Sequence, residues 1–198
     1  MLDAVFLRAS ERGLIGTKEE ASVDSTGLEA GHRSAHYAHR TGQKRYRLRN
    51  WPKVTAACHN LTHLLIHVWV NDGPSQEAPL LKRVLPGACK RVKIDRLLAD
   101  AGYDSESNHA FARQKLGIRS TVINLNKRGG RRWAKTKYRR QMYRCFHKQK
   151  YRQRVQIESV FSRFKRRLYA CLRGRSRKTQ RTEINLRVLT HDILLLAG

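Results

Sequence analysis

Three acids in this chain sit where an acid needs a reason. Glu158 is the single carboxylate between Lys127 and Arg181, in a stretch otherwise dense with lysine and arginine. Asp24 closes the β-prone run Glu20-Ala21-Ser22-Val23, and Asp100 closes the apolar run Arg96-Leu97-Leu98-Ala99. Carboxylates gathered from separate elements repel one another unless a cation lies among them, and Mg²⁺ favours oxygen ligands, waters and substrate phosphates. Two such ions about 3.5–4 Å apart suit phosphodiester cleavage and transfer. Each acid also has a plainer reading: Asp24 as a turn former before Ser25 and Thr26, Asp100 as an acceptor for backbone donors in the following turn, and Glu158 as the i, i+4 partner of Arg154.

The surroundings of Glu158 add to the chemistry. At roughly 100° per residue on an ideal helix, Tyr151, Arg154, Glu158 and Lys165 fall within one narrow stripe and can act on one substrate. Ile157, Val160, Phe161, Phe164 and Leu168 fall on the neighbouring stripe, the face such a helix buries.

The charge balance points to the substrate. Forty-two basic and 15 acidic side chains give a formal net charge of +27 over 198 residues. A compact chain so charged repels itself unless a polyanion is near, which makes nucleic acid the expected partner. No apolar run reaches the length of a membrane-spanning helix. Cys58, Cys89, Cys145 and Cys171 are scattered without paired spacing, which fits reduced thiols in a cytoplasm better than a disulfide framework. Met1 to Ser10 lacks the pattern of an export signal.

The elements that must position these groups can be read in outline. Leu2, Val5, Phe6 and Ala9 predict a short helix before Gly13, so that residues 1–19 form a small N-terminal helical remnant. A brief strand follows, ending at Asp24 and a turn. Residues 29–50 are polar and basic without a period, and read as a loop or basic arm. Lys53–His59 and Leu64–Val70 are β-prone and predict a hairpin. Gln76–Leu85 predicts a helix stopped by Pro86 and Gly87. Arg96–Asp100 reads as a buried strand, Ser105–Leu116 as a helix and Ile118–Leu125 as a strand. Residues 127–150 read as a basic excursion, with Arg131 and Arg132 as DNA contacts. A helix over 148–172 and a last apolar helix over 183–196 complete the chain. Strands first, then strand and helix in alternation, predict an α/β fold with a mixed sheet flanked by helices.

Three passages resemble the DDE transposases of bacterial insertion sequences, especially the group related to insertion sequences four and five. Val23-Asp24-Ser25-Thr26 looks like that family's first acidic segment, and Leu98-Ala99-Asp100-Ala101-Gly102-Tyr103-Asp104 like its second. Tyr151, Arg154, Glu158 and Lys165 match its Y-x2-R-x3-E-x6-K signature at all four positions. The resemblance spans residues 20–198 and implies a ribonuclease-H-like fold with a five-stranded mixed sheet. It also implies two Mg²⁺ or Mn²⁺ ions on Asp24, Asp100 and Glu158, DNA contacts from Tyr151, Arg154 and Lys165, and cleavage and strand transfer on double-stranded DNA by a homodimer or larger assembly in the bacterial cytoplasm. Asp104 ranks second to Asp100, because its position reads as a helix N-cap.

The short stretch ahead of Asp24 departs from that family and is compatible with a product of a split or frameshifted element, a truncated copy, or a protein whose basic arm suffices. Three other readings stand beside the transposase: a non-enzymatic basic nucleic-acid-binding protein, an inactive remnant, and a ribonuclease-H-type hydrolase that shares the metal site but never joins strands. His32, His36 and His39, and likewise His59, His63 and His67, have spacings that would bind zinc if helical. Trp69 reads as core, and Trp133 as a residue that can stack on a base.

Overall fold

A computed structural model describes residues 1–30, 51–126 and 134–198. The chain opens with helix α1 (Leu2–Glu11), whose Val5, Phe6 and Ala9 are buried and which ends just before Gly13 at φ +70°. Strand β1 (Glu19–Gly27) runs three residues beyond Asp24, so the acid lies within the strand instead of ending it. The cause is pairing: Asp24 to Gly27 continue in register with Ala56 to Lys53. Glu29–Ala30 form a two-residue strand, β2, where a loop was expected. The expected basic arm and its three histidines lie outside the described residues.

The hairpin forms as expected, from β3 (Pro52–His59) and β4 (Leu65–Asp72). Helix α2 (Ala78–Cys89) runs through Pro86, where the sequence predicted a stop. Leu80, Leu81, Val84, Leu85 and Ala88 are all buried, and seating that face in the core outweighs the hydrogen bond that a proline removes. Strand β5 (Ile94–Ala99) delivers Asp100 at its end. Helix α3 (Glu106–Ala110) follows, extended by a π turn over Phe111–Lys115, and β6 (Ser120–Ile123) completes the sheet.

The sheet order is β4-β3-β1-β5-β6. β1 pairs antiparallel with β3 and parallel with β5, and β6 is parallel to β5. This is the mixed sheet the element order predicted, with the five strands that the family resemblance implies. One hydrophobic cluster joins α1 and α2 to one sheet face through Ala21, Val23, Leu97 and Ala99. The other cluster covers the opposite face, through Val54, Ala56 and Cys58.

Elements from Val155 onward close that second face, whereas the helix ahead of them packs beside α3. Lys137–Arg144 form helix α4, whose Tyr138 and Met142 are buried one turn apart, so this part of the basic stretch is a packed element and not an excursion. Helix α5 (Lys148–Tyr151) passes through a 3₁₀ turn (Arg152–Arg154) into α6 (Val155–Leu168). Strand β7 (Cys171–Leu172) pairs with β2, and helix α7 (Arg177–Ala197) ends the chain. Ile157, Val160, Phe161 and Phe164 of α6 join Ile184 and Val188 of α7 against the sheet. None of the described helices is long and apolar enough to cross a membrane.

Asp192 fixes α7 to the sheet by accepting a 2.9 Å hydrogen bond from the Leu65 amide. It is fully buried, and burial raises its carboxyl from 3.8 to about 8. The unfolded chain gives up this proton near pH 4 and the folded chain only near pH 8, so the stabilising contribution is complete at acid pH and is lost as pH rises through that window. Wild type is expected to lose stability relative to Asp192→Asn between pH 5 and pH 8, by up to about 1.4 kcal/mol per pH unit. Denaturant melts of both proteins across that range check this; parallel stability curves would contradict it.

Candidate active site

β1 is central in the sheet, so Asp24 has neighbours on both sides. Its Cα pairs with Ala56 of β3, and it lies one residue past the Val23–Ala99 pair with β5. Asp24 and Asp100 therefore extend adjacent parallel strands, about 4.8 Å apart. Burial is the main influence on Asp24 and raises its carboxyl to about 6. The Ser25 amide and Arg154 oppose the rise, while the charges of Glu77 and Asp100 add to it.

Asp100 follows β5 as N-cap of a 3₁₀ turn, Ala101–Tyr103, and accepts from the Ala101 amide. This is the backbone role of its plainer reading, and it leaves the second carboxylate oxygen for other partners. The buried Tyr103 ties this turn to β1, its hydroxyl 2.6 Å from Ser25 Oγ, which in turn lies 2.7 Å from Thr55 Oγ1. A chain of three hydroxyls, buried at Thr55 and Tyr103, thus fixes the Asp100 turn against the residue next to Asp24.

Glu158 stands in the first turn of α6, with its side chain about half exposed. Arg154, one turn earlier, donates to Glu158 through Nη2 and to Asp24 Oδ2 through Nη1 at 3.1 Å. The i, i+4 pair of the plainer reading is therefore present. The same guanidinium reaches across 130 residues of sequence to the strand acid. Burial works against the charge on Arg154, but Tyr151, Glu158, Asp24 and Asp100 outweigh it and raise its pKa. Gln156 Oε1 lies 2.8 Å from His63 Nε2 and pins the start of α6 to the hairpin turn.

The single straight helix expected around Glu158 is instead α5, a 3₁₀ turn and α6. Tyr151 nevertheless stays beside Arg154, with the guanidinium 5.7 Å from its ring centroid and Phe146 packed at 5.1 Å. Tyr151 also meets Asn124, just past β6, a neighbour the sequence did not suggest. Lys165 lies two turns beyond Glu158, about 10 Å along the axis, so the two reach different parts of a substrate. Arg131, Arg132 and Trp133 lie outside the described residues.

Asp104 is not the N-cap it was expected to be. Ser105 takes that role, accepting from the Asn108 amide at 3.1 Å. Asp104 is buried, with Arg139 Nε 3.0 and 2.9 Å from its two oxygens and the Asn126 amide donating at 2.9 Å. Glu106 accepts from the Tyr138 and Arg139 amides at the start of α4. Together these two acids fasten the basic segment to the core. The histidines of the hairpin turn to different partners: His59 to Glu19 and Thr62, His63 to Gln156, His67 to Arg91. Trp69 is 38% exposed, not core, with Arg83 5.7 Å from its ring centroid.

As the side chains stand, no three acid, histidine or cysteine groups among the described residues are close enough to form a metal cage. Arg154 spans Asp24 and Glu158 instead. The donor set still fits a hard divalent cation, because every acid offers oxygen and Asp24 carries the repulsion of two neighbouring carboxylates.

A mixed sheet of this order, helices on both faces, and one carboxylate within the central strand beside another just past the end of its parallel neighbour match a ribonuclease-H-like fold. The family model described as the transposase DDE domain matches residues 16–193, and the chain belongs to that family. No curated protein matches the chain.

Removing Arg139 leaves the buried Asp104 carboxylate without its bidentate partner. Arg139→Ala is expected to cost about 3–5 kcal/mol, read as a lower denaturation midpoint, whereas Arg144→Ala on the exposed face is expected to cost under about 0.5 kcal/mol. Equal effects would contradict the fastening role.

Proposed function

We propose that this chain is the catalytic domain of an insertion-sequence transposase of the four/five-like group, cleaving DNA at element ends and joining the freed strand to a target. Residues 20–198 form this domain and residues 1–19 a short helix packed on it. The observation that carries the reading is the Arg154 guanidinium, which joins the central-strand acid Asp24 to Glu158 of the Y-x2-R-x3-E-x6-K signature.

In this reading Asp24, Asp100 and Glu158 hold two Mg²⁺ or Mn²⁺ ions. Those ions, when bound, activate the attacking hydroxyl or water and stabilise the leaving oxygen. The chain's own groups do the rest. Arg154, charged and partly withdrawn from solvent, holds Glu158 in place and presents positive charge where a scissile phosphate gathers negative charge. Tyr151 fixes the guanidinium plane from one side. Lys165, Arg131 and Arg132 bind flanking phosphates, and the +27 charge draws the duplex in. A homodimer acting on two ends in the cytoplasm is the working assembly.

Strand cleavage of element-end DNA in Mg²⁺ is expected to fall by about 10²–10³-fold or more in Asp24→Asn, Asp100→Asn and Glu158→Gln, with duplex binding kept within a few-fold. Cleavage that survives Glu158→Gln overturns the assignment. Binding that falls steeply with salt, without any cleavage by wild type, leaves a purely electrostatic binder.

A further inference from the structure

His63 stands in the turn between β3 and β4 at φ +64°, in the left-handed region that few residues with a side chain adopt. Its backbone is held twice. The amide donates to the His59 carbonyl at 2.9 Å, and the carbonyl lies 3.3 Å from Nε2 of the buried His191 in α7. The ring is therefore aimed from a fixed base. Its two nitrogens meet two residues of α6, Nε2 with Gln156 Oε1 at 2.8 Å and Nδ1 with Arg163 Nη2 at 3.3 Å. A guanidinium can only donate, so Nδ1 accepts and Nε2 carries the hydrogen that Gln156 receives.

The position of these contacts on the helix decides what they control. At roughly 100° per residue, Gln156 and Arg163 sit about 140–160° round the axis from Glu158. The buried face, made by Ile157, Val160, Phe161 and Phe164, lies between, so His63 grips one flank of α6 and Glu158 projects from the other. Hydrophobic burial is non-directional and resists lifting the helix off the sheet more than rolling it. Two hydrogen bonds about two turns apart on one flank fix the roll. On the Glu158 flank, Arg154 ties the helix to Asp24 at 3.1 Å. That bond has to open before Asp24 can serve a metal ion.

Resting on the functional reading above, we infer that His63 is a positioning residue for that chemistry: from the far flank of α6 it sets the rotation of the helix and so the approach of Glu158 to the strand acids. It touches neither substrate nor metal. With the Arg154–Asp24 bond open, its grip keeps Glu158 on the Asp24 side of the helix.

Mn²⁺ binding to the full chain, measured by calorimetry, tests this, with metal-free melting recorded for each variant. His63→Gly removes the ring at a φ that glycine accepts without strain, so the turn survives. It is expected to weaken Mn²⁺ binding by about 10–100-fold. His63→Gln, whose amide can also donate and accept, is expected to restore most of that affinity. Thr62→Ala takes away the hydroxyl that bonds His59 Nδ1 and the Leu64 amide in the same turn. It is expected to lower the melting temperature and leave Mn²⁺ affinity unchanged. In a Glu158→Gln background, His63→Gly is expected to cause little further loss of affinity, because its effect passes through Glu158. A histidine that only secured the hairpin would leave Mn²⁺ affinity at the wild-type value in His63→Gly, as in Thr62→Ala. That outcome, with Glu158→Gln weakening Mn²⁺ binding, overturns this inference alone, as does an undiminished loss in the Glu158→Gln background. Unchanged binding in both His63→Gly and Glu158→Gln overturns the metal-site reading beneath it as well.

Discussion

A carboxylate on the central strand of a sheet, flanked on both sides by paired strands, gives up much of its water, and the rest of the fold has to compensate. Asp24 is in that position: burial drives its carboxyl up to about 6, and neighbouring acids drive it further in the same direction. What opposes them is one backbone amide and one guanidinium, and the guanidinium comes from the far end of the chain. Arg154 reaches Asp24 only because α6 lies flat on the sheet through Ile157, Val160, Phe161 and Phe164. The hydrophobic face of that helix therefore sets the electrostatics of the acid beneath it.

The same logic orders the second acid. Asp100 owes its place to strand pairing with β1, but the direction of its turn is held by Tyr103, whose hydroxyl bonds to Ser25. The aromatic ring supplies burial and the hydroxyl supplies direction. Asp104, four residues on, does unrelated work: it anchors Arg139 and with it the basic segment. Two acids one short turn apart thus differ in function because one faces the strand ends and the other faces the core.

Much of this was legible in the residues. The hairpin, the strand delivering Asp100 and the buried face of α6 follow from periodicity that tertiary packing reinforces. The four-position signature contains Arg154 and Glu158, which the fold joins by a hydrogen bond. The misses share a cause: long-range partners decide them. Pro86 reads as a stop, yet the buried face of α2 carries the helix through it. Asp24 reads as a strand end, yet pairing with β3 continues past it. Asp104 reads as a cap because its partner, Arg139, lies 35 residues away.

Joining Asp24, Asp100 and Glu158 into one cation site is the claim on which the function turns. Anomalous diffraction from crystals soaked in Mn²⁺ tests it most directly. One site requires Mn²⁺ peaks within coordination distance of Asp24, Asp100 and Glu158 together, with Arg154 drawn away from Asp24 to admit them. Peaks confined to other surface acids, with the Arg154–Asp24 contact unchanged, would contradict it.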